Sequence, residues 1–346
     1  PGENFIISRN IIGLSSSASG GLTTIGGADA GGLLNKIRGI DIINTGLITP
    51  SSIQGNTIGG FAHTSNYNNP FKAEAAFIGI TAGHNGSGKY HIGNITANTI
   101  GSQSSNTITL THGGTIEDQA WAIGIYDGSA SADSIFNNTI GGITINGSGN
   151  ALNFTGICVA GFSGTGNVAV KNNTIGGSTA AGSVNDLQTG LYSCYGIEVT
   201  NSSAQISGNT IRNFNFGSSK TTSPAFAGIY ASAGSGIFQV TKNTVHSISG
   251  MPAAAGVSLH GLLLDITDDN NTVEKNFVHS IETNNDASVS GITANLGRAI
   301  YRNNVVRLGI NKLGSPITAS HIIYGIAQYA AANNNAFYHN TVYIGG

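Results

Sequence analysis

The sequence predicts an all-β fold, a parallel β-helix of about nine or ten rungs with three short strands in each rung. Two repeated patterns predict this fold. In the first, an apolar residue is followed three positions later by Asn, and two positions after that by Ile or Val. In the second, Gly precedes Ile or Leu, and the two patterns alternate along the chain. A unit that recurs in this way is typical of a repeat architecture, in which each unit packs only against its neighbours.

The Asn pattern recurs at loose spacing, from 46 residues between Asn10 and Asn56 to 28 residues between Asn276 and Asn304. The residues within each copy of the motif keep the same spacing, whereas the number of residues between copies varies. A fixed structural element must therefore alternate with loops of variable length. Asn tolerates left-handed backbone angles and bonds to neighbouring backbone, so we place it at a corner of each rung. Rungs stacked at roughly 4.8 Å would join these amides in an Asn ladder. The predicted ladder residues are Asn10, Asn56, Asn98, Asn138, Asn173, Asn209, Asn243, Asn276, Asn304 and Asn340.

The strands on either side of each Asn are predicted from β-branched residues that alternate with polar ones, as on a half-buried pleated surface. In the third copy we take the apolar residue to be Ile95. The Gly-Ile pattern marks another strand, in which Ile points into the tube and Gly allows a tight bend. Its glycines are Gly39, Gly79, Gly124, Gly156, Gly196, Gly228, Gly261, Gly291 and Gly325.

Other repeat folds fit the sequence less well. A β-propeller would show about four strands per blade and aromatic signatures, whereas Trp121 is the single tryptophan of the chain. Gly-rich, β-branched units without helical periodicity exclude an α-solenoid. The repeated apolar columns argue against a disordered chain. Since each rung is covered by its neighbours, we expect one domain over residues 1–346.

Composition limits the partners of this chain. Charged residues make up 9% of it, against about 25% in typical soluble domains. The net charge of −2 supplies no field that would attract polyanions, so we expect no nucleic acid partner. No apolar run is long enough to cross a membrane, so we expect no transmembrane segment. The sequence begins and ends inside rungs without polar caps, which favours a segment of a longer protein or a fibre subunit with end-to-end self-association.

The two cysteines are expected to be free thiols. Cys158 lies two residues after Gly156, whereas Cys194 lies two residues before Gly196. If those glycines align in adjacent rungs, the thiols are four positions apart along a strand, too far for a disulfide.

The Asn ladder and the three strands in each rung resemble the right-handed parallel β-helix of the pectate-lyase-like superfamily. The run Asn-Asn-Thr-Ile-Gly-Gly from Asn172 to Gly177 is also similar to repeats in large secreted surface proteins of Bacteroidota-type bacteria. These resemblances imply a right-handed helix and an extracellular or cell-surface protein that often faces carbohydrate. Such proteins include polysaccharide lyases and hydrolases, adhesin stalks and viral tailspikes. No catalytic motif of these proteins can be matched residue by residue.

Strand residues predict no catalytic site. Glycosidic chemistry needs two carboxyl groups about 5 to 10 Å apart, which is one or two rungs. In the outward column that follows each Gly-Ile pair, the acids Asp41 and Glu198 lie four rungs apart, so that only loop acids could form a hidden pair. The column is Asp41, Thr81, Tyr126, Cys158, Glu198, Tyr230, Leu263, Thr293 and Ala327.

We expect no cofactor, although calcium is considered at one cluster. Asp265, Asp268 and Asp269 supply hard oxygen ligands at close spacing. Asp and Asn also build ordinary turns, and the cluster lacks a complete calcium-loop signature, so a polar turn is favoured. The nine histidines are scattered, and His84 and His91 have no further ligand nearby, which excludes zinc.

The most patterned surface feature lies three positions after the ladder Asn. This position is Gly in the first five rungs and then becomes cationic or aromatic. Because strand side chains alternate, this residue should point outward, opposite to the Ile or Val before it, and the column should form a stripe along one side. The stripe could hold an anionic glycan, although a plain solvated face is favoured. If the stripe binds, its histidines would strengthen binding below a pKa near 6.5. The predicted binding residues are Arg212, His246, His279, Arg307 and Tyr343. Lys242, Lys275, Arg302 and His339 fall near them at the adjoining corner.

Early loops carry aromatic side chains that could stack on sugars or fold back over the helix edge. They are Phe61, Tyr67, Phe71 and Trp121. The sequence therefore favours a non-enzymatic structural or adhesive surface protein, a stiff stalk or filament whose partners are surface glycans or other copies of itself. The alternatives are a polysaccharide lyase, a glycoside hydrolase or a phage-type glycan-binding spike.

Overall fold

The computed structural model describes residues 3–13, 23–26, 35–43, 46–67, 69–83, 88–113, 120–129, 131–147, 152–161, 166–188, 193–217, 223–233, 236–251, 257–283, 287–318, 321–329 and 334–345. The first half of the strands are β1 (Ile6–Ser8), β2 (Ile11–Ile12), β3 (Thr23–Ile25), β4 (Ile37–Ile42), β5 (Ser51–Gln54), β6 (Thr57–Ile58), β7 (Phe61–Ser65), β8 (Phe77–Ala82), β9 (Tyr90–Ile92), β10 (Thr99–Gly101), β11 (Ile108–His112), β12 (Ala120–Asp127), β13 (Ser134–Phe136), β14 (Thr139–Gly141), β15 (Ile143–Gly147) and β16 (Leu152–Ala160).

The second half are β17 (Asn167–Lys171), β18 (Thr174–Ile175), β19 (Val184–Asp186), β20 (Cys194–Thr200), β21 (Ser203–Ser207), β22 (Thr210–Phe216), β23 (Phe226–Ala233), β24 (Phe238–Thr241), β25 (Thr244–Met251), β26 (Ser258–Glu274), β27 (Phe277–Thr283), β28 (Ser288–Arg302), β29 (Val305–Leu308), β30 (Ile322–Gln328), β31 (Ala336–Tyr338) and β32 (Thr341–Ile344). A short 3₁₀ turn lies at Lys72–Glu74.

These strands form a parallel β-helix, as the sequence predicts. Each strand pairs in parallel with strands of the neighbouring rungs, in two long sheets that curl into the three faces of one tube. The first face contains the Gly-Ile strands, for example β8, β12 and β16. The second face contains the strands before the ladder Asn, such as β13 and β17. The third face contains the strands after it, such as β14 and β18.

Stacked columns of apolar side chains fill the tube. The Gly-Ile residues stand in register from Ile40 through Ile80 and Ile125 to Ile326. Opposite them stack the residues two after the ladder Asn, such as Ile140, which is fully buried. The glycine is required because the two faces approach closely there. A Cβ at Gly124 would lie 2.5 Å from the carbonyl oxygen of Gly156 and 2.9 Å from Cδ1 of Ile140.

The Asn ladder is continuous through all ten predicted residues. Each side-chain amide donates from Nδ2 to Oδ1 of the Asn in the next rung at 2.9–3.0 Å. Asn209 illustrates the complete set. Its Nδ2 also donates to the carbonyl oxygen of Val170, while its Oδ1 accepts the backbone N–H of Asn173. Every hydrogen-bonding group of a buried ladder amide is therefore satisfied without water.

The left-handed residue of this corner is the residue before the ladder Asn, which corrects the role we gave to the Asn. That position has a positive φ, for example 60° at Asn137, 57° at Lys242 and 52° at His339. The ladder Asn itself follows the turn and uses its side chain for bonds between rungs. The sharp bend is thus made by one residue and stabilised by the next.

The third rung departs from the repeat. Ile92, and not Ile95, pairs with Ile53 and supplies the carbonyl oxygen that Asn138 binds. Ile95 is 86% exposed. Its backbone N–H donates to Oε1 of Gln54, so residues 94–97 form an extra loop on the surface. The prediction of Ile95 as a core residue is wrong. Ile95 lies three positions before Asn98, as in the other copies of the motif, and this unchanged spacing hides the insertion.

The third strand of each rung bends once more and continues into a further segment. In the later rungs the bend lies at Asn213, Ser247 and Ser280, whose φ values are 51°, 58° and 51°. In earlier rungs Gly142 takes this position with a φ of 61°. The three predicted faces are therefore present, and the third face has an additional bend four residues after the ladder Asn.

Candidate functional site

The five residues of the predicted binding stripe stand in one unbroken column on the third face. Arg212 pairs with His246, His246 with His279, His279 with Arg307, and Arg307 with Tyr343. Neighbours are one rung apart, so the column runs along the tube axis. The first four side chains are half-buried and Tyr343 is exposed. We call these five residues the cationic stripe.

The centre of the cationic stripe is aromatic. The rings of His246 and His279 stack with centroids 4.8 Å apart and planes within 7° of parallel. The ring of Phe277 lies 4.3 Å from that of His279. Each histidine contacts the serine that follows it, with Nδ1 to Oγ distances of 2.9 Å to Ser247 and 3.0 Å to Ser280. These contacts fix the ring planes and turn Nε2 away from the serine.

Burial and neighbouring cations keep the histidines neutral. The pKa of His246 lies below its usual value because of burial and the adjacent Arg212. The pKa of His279 is lowered to about 4, first by burial and then by His246 and Arg307. The expectation that both titrate near 6.5 is therefore wrong. At neutral pH the charge of the stripe comes from its two arginines.

Within the described ranges, the two arginines of the cationic stripe have polar but no acidic partners. Arg307 Nη2 donates to Ser280 Oγ at 3.2 Å, and Arg212 Nη2 lies 3.5 Å from Gln103 Oε1. Among the described residues, no carboxylate lies within ion-pair distance of either guanidinium. Both positive charges therefore remain available on this face.

The glycine half of the same column is covered by loops. Residues 102–105 follow Gly101 and lie across this side of the tube. The carbonyl oxygen of Gln103 accepts the backbone N–H of Ser178 at 2.7 Å, although 75 residues separate Ser178 from Gln103. A Cβ at Gly141 would lie 3.0 Å from the carbonyl oxygen of Ser102. Glycine makes room there for a loop, whereas larger side chains occupy the column from Arg212 onward.

The four basic residues of the adjoining corner have different roles. Lys242, Lys275 and His339 occupy the left-handed position before a ladder Asn, and they are exposed. Arg302 Nε donates to Glu274 Oε2 at 2.5 Å. They lie beside the cationic stripe and do not extend its column.

The outward column of the first face has the predicted register, and its middle part is covered. Residues 69–76, which we call the strap, cross this face before β8 begins. Ala75 of the strap is buried in a small apolar cluster with Ile78, Ile123, Tyr126 and Cys158. The early aromatics mainly serve such packing: Phe61 and Tyr67 are buried, Trp121 is partly buried, and Phe71 is 70% exposed.

The strap is held at both ends by charged groups. Arg38 donates from Nη1 to the carbonyl oxygen of Ala75 at 2.6 Å. Farther along the tube, Lys72 forms an ion pair with Glu198, and its Nζ lies 4.5 Å from the ring centre of Trp121. Thr155 Oγ1 donates to the other carboxylate oxygen of Glu198 at 3.3 Å. Glu198 therefore holds the strap in place. A catalytic carboxylate would have to face a substrate, whereas Glu198 faces Lys72.

The residues of the predicted calcium cluster turn to separate partners. Asp265 accepts Tyr230 Oη at 3.2 Å and Asn295 Nδ2 at 2.7 Å. Asp269 forms an ion pair with Arg298 at 2.7 Å. In the described part of the chain, no group of three or more His, Cys, Asp or Glu residues is placed to hold a metal ion. His84 lies outside the described residues.

Sequence reasoning missed a buried pair of acids, Asp127 and Asp133. Both side chains are buried inside the tube, at the corner between β12 and β13. Asp127 follows Ile125 by two positions, so the alternation of strand side chains could have placed it inward.

The remaining expectations concern cysteines and membrane segments. Cys158 and Cys194 are both buried, and they form no disulfide among the described residues, as predicted. The Sγ of Cys194 donates to Asp186 Oδ2 at 3.0 Å. Within the described ranges, no helix is both long enough and apolar enough to cross a bilayer.

No protein-family model matches this chain. Comparison with curated proteins and with solved structures likewise yields no significant match.

Proposed function

We propose that this chain is a rigid, non-enzymatic segment of an exported surface protein, in which the stacked rungs act as a stalk or filament. The observation that supports this most directly is the continuous Asn ladder from Asn10 to Asn340. Its nine bonds between rungs all lie at 2.9–3.0 Å. Ten stacked corners at the usual strand spacing correspond to a rod of about 45 Å.

Such a ladder resists bending for a simple reason. To bend the tube, rungs must separate on one side, and separation there breaks buried amide bonds that have no water to replace them. The backbone bonds of the three faces oppose bending in the same way. A structure of this kind is suited to hold loops or a face at a fixed distance from a surface.

An enzymatic role has weaker support. A glycosidase or lyase on this fold would need acids or bases that face a substrate groove. The outward Glu198 is covered by the strap and paired with Lys72. The outward Asp41 lies four rungs away on the other side of the strap residues. We therefore keep polysaccharide lyases and glycoside hydrolases as the alternative only.

For the contact surface of the rod, we propose the cationic stripe. Its two unneutralised arginines can bind carboxylate or sulfate groups through paired N–H donors. The exposed edge of Phe277 and the ring of Tyr343 offer apolar surface for the faces of sugar rings. The proposed partner is an acidic surface glycan that lies along the tube axis.

We further propose that similar rungs continue the tube at its open edges. Ile6 and Ile11 are 70% and 69% exposed on one edge, and Tyr343 and Ile344 are 53% and 52% exposed on the other. Another rung would pair the open strands and bury these side chains. The right-handed twist of the tube, its place in the pectate-lyase-like superfamily and the likeness to Bacteroidota-type surface repeats belong to the same proposal.

Electron microscopy of the purified chain over a range of concentrations tests the rod. We expect stiff rods one tube wide, and longer filaments where copies stack end to end. Flexible or globular particles would contradict the proposal. Hydrolysis or cleavage of a panel of neutral and acidic polysaccharides would favour the enzyme instead.

Binding of a carboxylated polysaccharide tests the stripe separately. Arg212→Gln together with Arg307→Gln should weaken binding at least tenfold, because both charges are lost. The matched control is Arg298→Gln, which removes an exposed arginine elsewhere. Equal binding by both variants would show that the stripe is only a solvated face, while the rod proposal would stand.

A further inference from the structure

Two carboxyl groups are buried together inside the fourth rung, the rung of Asn138. Asp127 stands in register with Ala82 and Val159, in a column whose other members face the interior. It is fully buried, and Asp133, next to Ser134 of β13, is 2% exposed. Polar groups at this depth are normally satisfied by hydrogen bonds or neutralised.

The donors around the pair leave one oxygen without a partner. Asp133 Oδ1 accepts the backbone N–H of Tyr90 at 2.6 Å, and its Oδ2 accepts the hydroxyl of Ser129. Asp127 Oδ1 accepts the backbone N–H of Ser129 at 3.0 Å. Asp127 Oδ2 is buried and has no hydrogen-bond donor in the described structure. A proton between the two carboxyl groups would satisfy this oxygen.

The charged surroundings do not neutralise the pair. Among the described residues, no Lys, Arg or His lies within ion-pair distance of either carboxyl group. Lys89 acts on Asp133 only through a longer-range attraction. Tyr126 and Cys158, which Asp127 influences, both have pKa values raised by burial and stay neutral. Two negative charges would therefore face each other in an apolar interior.

A metal ion fits the corner less well than a proton. Calcium takes six to eight oxygen ligands, whereas this corner supplies two carboxyl groups and the hydroxyl of Ser129. The neighbouring rungs place Ala82 and Val159 against it, and neither side chain can coordinate an ion.

We propose that Asp127 and Asp133 share a bound proton, which stabilises the fourth rung at acid pH and is lost as the pH rises. In the folded chain, burial raises the pKa of Asp127 well above its usual value. Burial also raises the pKa of Asp133 to about 6. In the unfolded chain both groups ionise near pH 4.

The direction of the pH effect follows from this difference. Groups whose folded pKa is raised stabilise the fold most below the unfolded pKa, and this stabilisation declines as the pH rises through the folded pKa. Each proton that the folded chain holds and the unfolded chain releases lowers the folding equilibrium constant about tenfold per pH unit. The decline begins near pH 4 and continues past pH 6. This pH dependence of stability is independent of the proposed rod function and of any ligand that the rod binds.

Urea unfolding of the full chain at pH 5 and pH 8 tests the proposal. His260 and His279, whose pKa values are lowered to about 4, change stability in the opposite sense, so that variants must be compared with the wild type. In the wild type, the shared proton should make the folding equilibrium constant larger at pH 5 than at pH 8. Asp127→Asn should reduce this ratio of the two constants at least tenfold. Its amide would donate to Asp133 without needing a proton, so this variant should be the more stable chain at pH 8. Asp41→Asn, at an exposed position, is the matched control and should behave as the wild type does.

Infrared spectroscopy of the wild type supplies a readout that needs no variant. A protonated carboxylic acid band should persist at pH 7, where exposed carboxyl groups are ionised, and should disappear on unfolding. Absence of this band, or an unchanged pH dependence in Asp127→Asn, would overturn the proposal. It would also be overturned if calcium ions at millimolar concentration stabilised the wild type at pH 8 but not the variant, because the pair would then hold a cation.

Discussion

At the scale of single residues, the chain assigns different tasks to neighbouring positions of one corner. Except at Ala97 in the third rung, the residue before the ladder Asn adopts the left-handed conformation, and it is Asn, Gly, Lys, Arg or His. The ladder Asn then binds the rungs above and below. The first task tolerates several side chains, whereas the second requires a short amide with two donors and an acceptor.

Replacement of a central ladder residue should therefore be costly. Asn209→Ala would leave the N–H groups of Asn173 and the carbonyl oxygen of Val170 without partners inside the tube. We expect the free energy of unfolding to fall by about 2 to 5 kcal/mol. Urea unfolding measures this change. Asn215→Ala, on the exposed side of β22, is the control and should change stability by less than about 0.5 kcal/mol. A similar small loss at Asn209 would contradict the role of the ladder.

The cationic stripe makes a second prediction at this scale. The ring protons of His279 should report a pKa near 4 in an NMR titration, because burial, His246 and Arg307 all oppose its charge. Arg307→Gln removes one of these charges and should raise that pKa. A titration near 6.5 in the wild type would mean that the histidine is solvated and charged in mild acid.

At the scale of elements, the strap explains why an outward strand face is rich in apolar residues. Ile78, Ile123 and Cys158 point away from the tube and are nevertheless fully buried. The strap covers them, and the ion pair of Lys72 with Glu198 fixes its position. Breaking a buried pair by removing one charge is much more harmful than replacing both partners.

The strap can be tested on that difference. Glu198→Gln should lower the stability of the covered region by about 3 kcal/mol and speed hydrogen exchange in residues 69–76. Lys72→Met combined with Glu198→Met should restore most of the protection. Asp269→Asn, which breaks an exposed pair with Arg298, should have little effect. If Glu198→Gln exchanges as slowly as the wild type, the apolar contacts alone hold the strap.

At the scale of the whole molecule, identical contacts recur along one axis. Because the strands of each rung pair only with strands of the neighbouring rungs, stability accumulates along the stack, and a change in one rung remains largely local. The third rung contains the extra loop at residues 94–97, whereas the buried acids Asp127 and Asp133 distinguish the fourth rung. We expect hydrogen exchange to show this rung as the part of the tube whose protection depends most on pH. Uniform pH dependence along the tube would contradict that expectation.

The sequence by itself determined the rungs, the Asn ladder, the Gly-Ile column and the alignment of Arg212 with His246 and His279. These features depend on period and parity, which a strand fixes through the alternation of its side chains. Only the tertiary structure decided which segments cover each face and which ionisable side chains are charged in the folded chain. The strap reaches Glu198 from a position 126 residues earlier in the chain. The low pKa of His279 and the buried acid pair depend on desolvation, which arises only when distant rungs and loops exclude water.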